Sequence, residues 1–159
     1  MTKIRTAPQG IRFTYETASK ALDDQLQWIE TLDTKAGILM AADGVVVGLV
    51  LTRGSFLQGA PAGLATAGAL LLFASFLMAL LAFATRRYET APDLAALLAL
   101  LRTGDDDFLR WNALPGIVGA LDVNESKLGQ KADLLFVGNL LLLGGIFVVA
   151  GYFIYWLWR

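Results

Sequence analysis

The sequence predicts an all-α membrane protein, with three transmembrane helices and helical cytoplasmic extensions. The first extension is a long stalk helix continuous with the first span. Two observations carry this. The chain of 159 residues is 56% hydrophobic and only 17% charged, against about 45–50% and about 25% for a soluble domain, and its mean hydropathy is +0.57. The apolar excess is also gathered into three runs, Ala36–Thr52 (interrupted by Asp43), Gly54–Thr85 and Leu134–Trp158. Crossing about 30 Å of hydrocarbon takes roughly 20 apolar residues. The second and third runs clear that length. The first is short, but Lys35 and Arg53 at its ends extend it by snorkelling along their aliphatic stems.

Residues 1–13 contain Pro8 and Gly10, show no period and read as a loose arm. Over 14–35, Tyr15, Ala18, Leu22, Leu26, Ile29 and Leu32 recur at steps of three or four, the stripe of an amphipathic helix. No breaker separates this stalk from the first span, 36–53. A helix over 14–52 would be ~58 Å long at about 1.5 Å per residue. Its apolar stripe needs a partner, in this chain or in another copy.

Pro61 suits the first turn of a second span over 62–85. The spacings Gly63/Ala67, Ala65/Ala69, Ser75/Ala79 and Gly44/Gly48 allow close helix approach in lipid, within one subunit or between subunits. Residues 86–133 form the longest polar segment. There Leu94–Leu101 reads as a short helix, and Asp105–Asp107 cap a second one that Pro115-Gly116 should break. Asn124 reads as the N-cap of a last helix that runs into the third span, 134–158.

The cations set the orientation. Lys3, Arg5, Arg12, Lys20 and Lys35 precede the first span; Arg86, Arg87, Arg102, Arg110, Lys127 and Lys131 lie between the second and third; only Arg53 and Arg159 lie elsewhere. By the positive-inside rule the N-terminus and the middle segment face the cytoplasm, and the C-terminus faces out. Tyr152, Tyr155, Trp156 and Trp158 then form an outer aromatic belt. The first 35 residues hold no signal-peptide core, so the first span is expected to serve as the retained targeting signal.

The first and third spans echo each other at an offset of 96. Lys35-Ala36-Gly37 aligns with Lys131-Ala132-Asp133, and Asp43 falls on Asn139. Asp33, Lys35 and Lys131 form a charged collar at the membrane surface, while Asp43 and Asn139 sit about two turns inside. Ionisable groups at such depth face protein or water. Asp43 and Asn139 are therefore expected to face one another or a common oligomer axis, as gating residues. The alternatives are a protonated, hydrogen-bonded Asp43 within the bundle, or one shallow enough to be hydrated.

The chain lacks both cysteine and histidine, which removes disulfides, thiolate and imidazole catalysis and the usual zinc sites. No phosphate-binding glycine loop follows a strand, and Asp105–Asp107 lacks the ligand spacing of a calcium loop. A non-enzyme without cofactor or metal is expected. The net charge of −1 carries no nucleic-acid signal. One constellation could hold a small nucleotide: Arg86, Arg87, Arg102, Arg110, Lys127 and Lys131, with Trp111, Trp28 and Tyr88 in the same layer. Guanidinium groups match phosphate, and aromatic faces stack on bases. The competing reading makes these cations ordinary flanks for anionic headgroups.

The Asp33-Thr34-Lys35-Ala36-Gly37 collar, at the end of an amphipathic helix entering a span, resembles the membrane effectors of Pycsar antiphage systems. More distantly it is similar to SLATT-type effectors of related nucleotide-signalling defence. Glu30, Asp33, Lys35, Ala36 and Gly44 match the first pattern, and Leu128, Lys131 and Ala132 match a later one, within a similarity over about residues 20 to 155. The resemblance implies a bacterial inner-membrane effector of abortive infection. It implies activation by cyclic CMP or cyclic UMP bound on the cytoplasmic side, followed by loss of membrane integrity. A self-associating three-span protein of that kind, with the bilayer as its other partner, is the expectation. The alternatives are a non-catalytic membrane adaptor or scaffold subunit, and an unregulated small channel or holin-like protein.

Overall fold

The computed structural model describes residues 10–52, 62–84, 88, 89 and 105–158. Among them are three helices: α1 (Ile11–Thr52), α2 (Ala62–Ala84) and α3 (Asp106–Leu157). Each is long and apolar enough to cross a membrane. The expected helix over 94–101 lies outside the described residues.

Helix α1 begins three residues earlier than its apolar period predicts. Gly10 adopts a φ of +88°, a conformation that strains a side-chain-bearing residue, and so turns the chain into the helix. Its carbonyl accepts from both the amide (3.0 Å) and the hydroxyl (3.2 Å) of Thr14. At the other junction Asp105 acts as the N-cap of α3, its carboxylate accepting from the Phe108 amide at 2.9 Å.

Helix α3 corrects two expectations. Pro115 does not break it, and Asn124 is not its N-cap; both lie inside one helix of 52 residues. Pro115 stands on an exposed face, where it removes one backbone bond, while Ala113, Ile117 and Ala120 are buried on the opposite side. That stripe continues through Asn124, Lys131, Leu135 and Leu142 at helical spacing. The packed face therefore runs on where hydropathy stops.

Two compact units make up the chain: the described residues within Met1–Ile29 and Arg87–Leu128, and those within Glu30–Arg86 and Gly129–Arg159. The first unit packs Leu22 against Ile117 and Ala120, flanked by Tyr15, Ala18, Leu26 and Leu121. Gln25 donates to the Leu121 carbonyl at 3.2 Å. Asn124 is fully buried and pairs twice with the Glu89 backbone, accepting from its N–H at 3.1 Å and donating to its C=O at 2.9 Å.

The second unit packs Ala36 and Leu39 of α1, Leu72, Ala79 and Ala82 of α2, and Leu135 and Leu142 of α3. Small residues let the helices close up. A Cβ on Gly145 would come within 2.7 Å of the Leu72 side chain, and one on Gly138 within 3.0 Å of Leu39 and 3.3 Å of Met78. The outward side is apolar too: Val45, Leu49, Phe73 and Phe147 are all more than half exposed. An apolar surface of this extent is a lipid-facing surface. Tyr155 and Trp158 are exposed at the end of α3, but Tyr152 turns inward and is buried, its ring 6.5 Å from that of Tyr155. It is therefore not part of an outward belt. The Trp156 side chain lies outside the described residues.

Candidate functional site

The second unit buries two polar contacts among its helices. Near the start of the apolar run, Lys131 of α3 donates to Asp33 of α1 at 2.5 Å. The lysine side chain is fully buried, while the aspartate is 29% exposed. Desolvating an ammonium costs several kcal/mol unless a counter-charge meets it, and Asp33 supplies that counter-charge. Lys35 is exposed on another face of α1. The collar thus divides into an internal pair, Asp33 and Lys131, and an outward cation.

Ten residues further along α1, or roughly 15 Å at about 1.5 Å per residue, lies Asp43. It falls on the buried stripe one turn beyond Leu39 and is only 1% exposed. The hydroxyl of Ser75 on α2, itself buried, donates to Asp43 Oδ2 at 2.9 Å. Asp43 Oδ1 is buried with no hydrogen-bond partner. Beside it opens a cleft of about 610 Å³, lined by Asp43 and otherwise almost wholly by apolar side chains, among them Val47, Leu72, Phe73, Phe76 and Val148.

Asp43 and Asn139 do not meet within the chain. Asn139 is exposed on α3, whereas Asp43 is satisfied on one oxygen by Ser75. The internal alternative, an Asp43 hydrogen-bonded inside the bundle, is what the structure has. Ser75 is the partner that sequence reasoning missed. The signal was present, since Ser75 is a hydroxyl deep within the second apolar run, yet its spacing to Ala79 reads equally well as a packing motif. The Ser75/Ala79 pair is buried, whereas Gly44, Gly48 and Gly63 are exposed and meet no neighbour.

Of the proposed nucleotide-binding residues, the described ones are not gathered into one place. Arg86, Arg87 and Arg102 lie outside the described residues. Arg110 is half-buried and pairs with Asp106 at 3.4 Å, and Trp111 beside it is 45% exposed. Lys127 is half-buried on the same helix. It lies 17 positions on from Arg110, roughly 25 Å along the axis at about 1.5 Å per residue. One mononucleotide cannot touch both. Among the described residues no cluster of acidic side chains has a geometry for a metal ion.

Three helices of spanning length, with an ion pair and a carboxylate buried among them, define a multi-pass membrane protein. The family model of the Pycsar effector protein domain, PycTM, matches residues 17–115, more than half of the chain. The protein belongs to this family and is an antiphage defence effector. The matched stretch ends at Pro115, so Lys131 and Asn139 lie beyond it. No curated protein and no solved structure matches the chain significantly.

Proposed function

We propose that this effector senses a cyclic pyrimidine nucleotide, cyclic CMP or cyclic UMP, on its cytoplasmic side and then impairs the inner membrane, so that the infected cell dies before phage is released. The observation that carries the reading is the continuity of two helices. Both α1 and α3 run unbroken from a polar stretch into an apolar one. The Asp33–Lys131 pair ties them together where the apolar runs begin. A ligand that moved either helix in its polar stretch would bear directly on a span. Membership of the Pycsar effector family supports the ligand class. The protein works without catalysis, as a receptor coupled to a membrane lesion.

Of the described cations, Arg110 is the best placed to meet phosphate, because Trp111 next to it offers an open aromatic face. Self-association belongs to the same reading. Asn139 presents a carboxamide on the exposed side of an apolar helix, and a second copy would give it a partner in hydrocarbon. The cation distribution supports a cytoplasmic N-terminus and a periplasmic C-terminus. The nucleotide acts only in so far as it binds the leaky state better than the resting one.

The test is reconstitution into dye-loaded liposomes, with and without cyclic CMP and cyclic UMP. Release that requires one of the nucleotides supports the proposal. Release without nucleotide identifies an unregulated channel. A tight bilayer throughout, with no nucleotide bound, identifies an adaptor and ends this reading.

A further inference from the structure

We propose that the Asp43 cleft is a binding site for a lipophilic amine, a single ammonium group carried on a hydrocarbon body, which enters sideways from the bilayer. The proposal does not rest on nucleotide sensing.

Three observations carry it. First, Asp43 Oδ1 is buried and lacks a hydrogen-bond partner, while Oδ2 is taken up by Ser75. A carboxylate in that state has unused acceptor capacity, and a buried polar atom left unpaired is destabilising. Second, among the described residues the cleft lining contains no lysine or arginine. No described residue of the lining compensates the carboxylate's charge, so a guest that brings both a donor and a positive charge gains most. Third, the cleft holds about 610 Å³, within the range of about 300–1,000 Å³ typical of small-molecule sites. Its apolar walls suit a hydrocarbon body.

The route of entry follows from exposure. Val47, Leu51, Leu64 and Phe73 line the cleft and are themselves exposed on the apolar surface. The cleft therefore opens towards acyl chains, and its guest is a molecule already dissolved in the membrane. An aminophospholipid shares the ammonium group but also carries a phosphate. The described lining residues offer that anion no cation, only a second negative group, so their chemistry favours a simple amine over a lipid headgroup.

The experiment uses the full chain in phosphatidylcholine nanodiscs. Dodecylamine is the probe, and dodecyl methyl ether is its uncharged control. Binding is measured directly with labelled probe. Occupancy at Asp43 is measured by protection from dicyclohexylcarbodiimide, a hydrophobic reagent for carboxyl groups, read by peptide mass. Dodecylamine should bind saturably and slow modification of Asp43 about tenfold or more, the scale of a buried charge pair. The ether at equal membrane content should do neither. Asp43→Asn keeps the shape and an acceptor for Ser75, and should weaken amine binding by about tenfold or more. Ala69→Phe fills the cleft while leaving Asp43 and Ser75 in place, and should abolish the protection; unchanged helical content in both variants excludes misfolding as the cause. Equal protection by the ether, or undiminished binding to Asp43→Asn, would overturn the proposal. Protection by phosphatidylethanolamine in place of the amine would overturn it as well, in favour of a lipid headgroup.

Discussion

Lys131 and Asp33 form a pair in which the cation is wholly buried and the anion keeps partial contact with its surroundings. The asymmetry makes the two deletions unequal. Asp33→Ala takes the carboxylate away from a wholly buried ammonium, which should cost about 3 kcal/mol. Lys131→Ala leaves a carboxylate that rehydrates, at about 1 kcal/mol. Joining the two as Asp33→Ala/Lys131→Met should recover most of the larger loss, because the buried charge is then gone. Denaturant titrations of the reconstituted protein, followed by helical circular dichroism, would rank the three. Equal losses for the two single variants would contradict this account of the pair.

Ser75 meets Asp43 within the same unit, and its hydroxyl is the donor. Hydrogen bonds between helices in a membrane are worth about 0.6 kcal/mol on average and up to about 1.7. Ser75→Ala should therefore destabilise by about 1 kcal/mol, whereas Ser75→Thr, which keeps a hydroxyl, should lose less. In the Asp43→Leu background the effect of Ser75→Ala should vanish, since the acceptor is gone. A double-mutant cycle on the same titrations measures this coupling. A coupling of zero would mean that the contact does not contribute.

How far the fold was legible depended on whether packing followed hydropathy. The three spans were legible because length and apolarity alone identify them. The echo at an offset of 96 related α1 to α3, which do pack together, but the pairing of Asp43 with Asn139 that it suggested is not made. Within the first unit Gln25 bonds to Leu121, 96 positions on, and within the second Asp33 bonds to Lys131, 98 positions on. Within the second unit α1 and α3 lie side by side and parallel, Asp33 meeting Lys131 and Leu39 lying against Gly138. What was not legible is the buried stripe of α3 where it passes through polar residues. Asn124 and Lys131 sit on that stripe, yet an asparagine before a helical pattern reads as a cap and a lysine before a span reads as a flank. Pro115 misled for a related reason: packing of Ala113, Ile117 and Ala120 outweighs one lost backbone bond. At the candidate site Asp43 was evident from its depth, but its partner was not, because a serine in a small-residue run carries two meanings.

Gly144 and Gly145 are neighbours with opposite surroundings. A Cβ on Gly145 would come within 2.7 Å of the Leu72 side chain, whereas one on Gly144 would make an ordinary contact at 3.7 Å with Leu71. Gly145→Ala forces Leu72 aside and should cost about 1–3 kcal/mol, the usual penalty of overpacking. Gly144→Ala adds helix propensity without a clash and should stabilise by about 0.5–1 kcal/mol. The sign difference between adjacent substitutions tests how closely α2 approaches α3. It is read from midpoints of unfolding in mixed micelles. The same sign for both would place the α2 contact elsewhere on α3.

Asn124 holds the backbone of Glu89 by two reciprocal hydrogen bonds, with its own side chain wholly buried. Asn124→Leu removes both bonds and leaves the Glu89 amide and carbonyl to find other partners. The expected cost is about 1–3 kcal/mol, the penalty for polar groups left unpaired. Asn124→Asp keeps the acceptor for the Glu89 N–H but loses the donor to its C=O. It also buries a carboxylate, so it should not rescue stability at neutral pH. Asn124→Gln retains both functions on a longer arm and should fall between wild type and Asn124→Leu. Amide hydrogen exchange at Glu89 gives a local readout distinct from global stability. Exchange there should accelerate about tenfold or more in Asn124→Leu, following the lost protection, while the amides around Leu72 and Leu142 keep their rates. If Glu89 exchanged as slowly in Asn124→Leu as in the native protein, its amide would be protected by something other than this side chain.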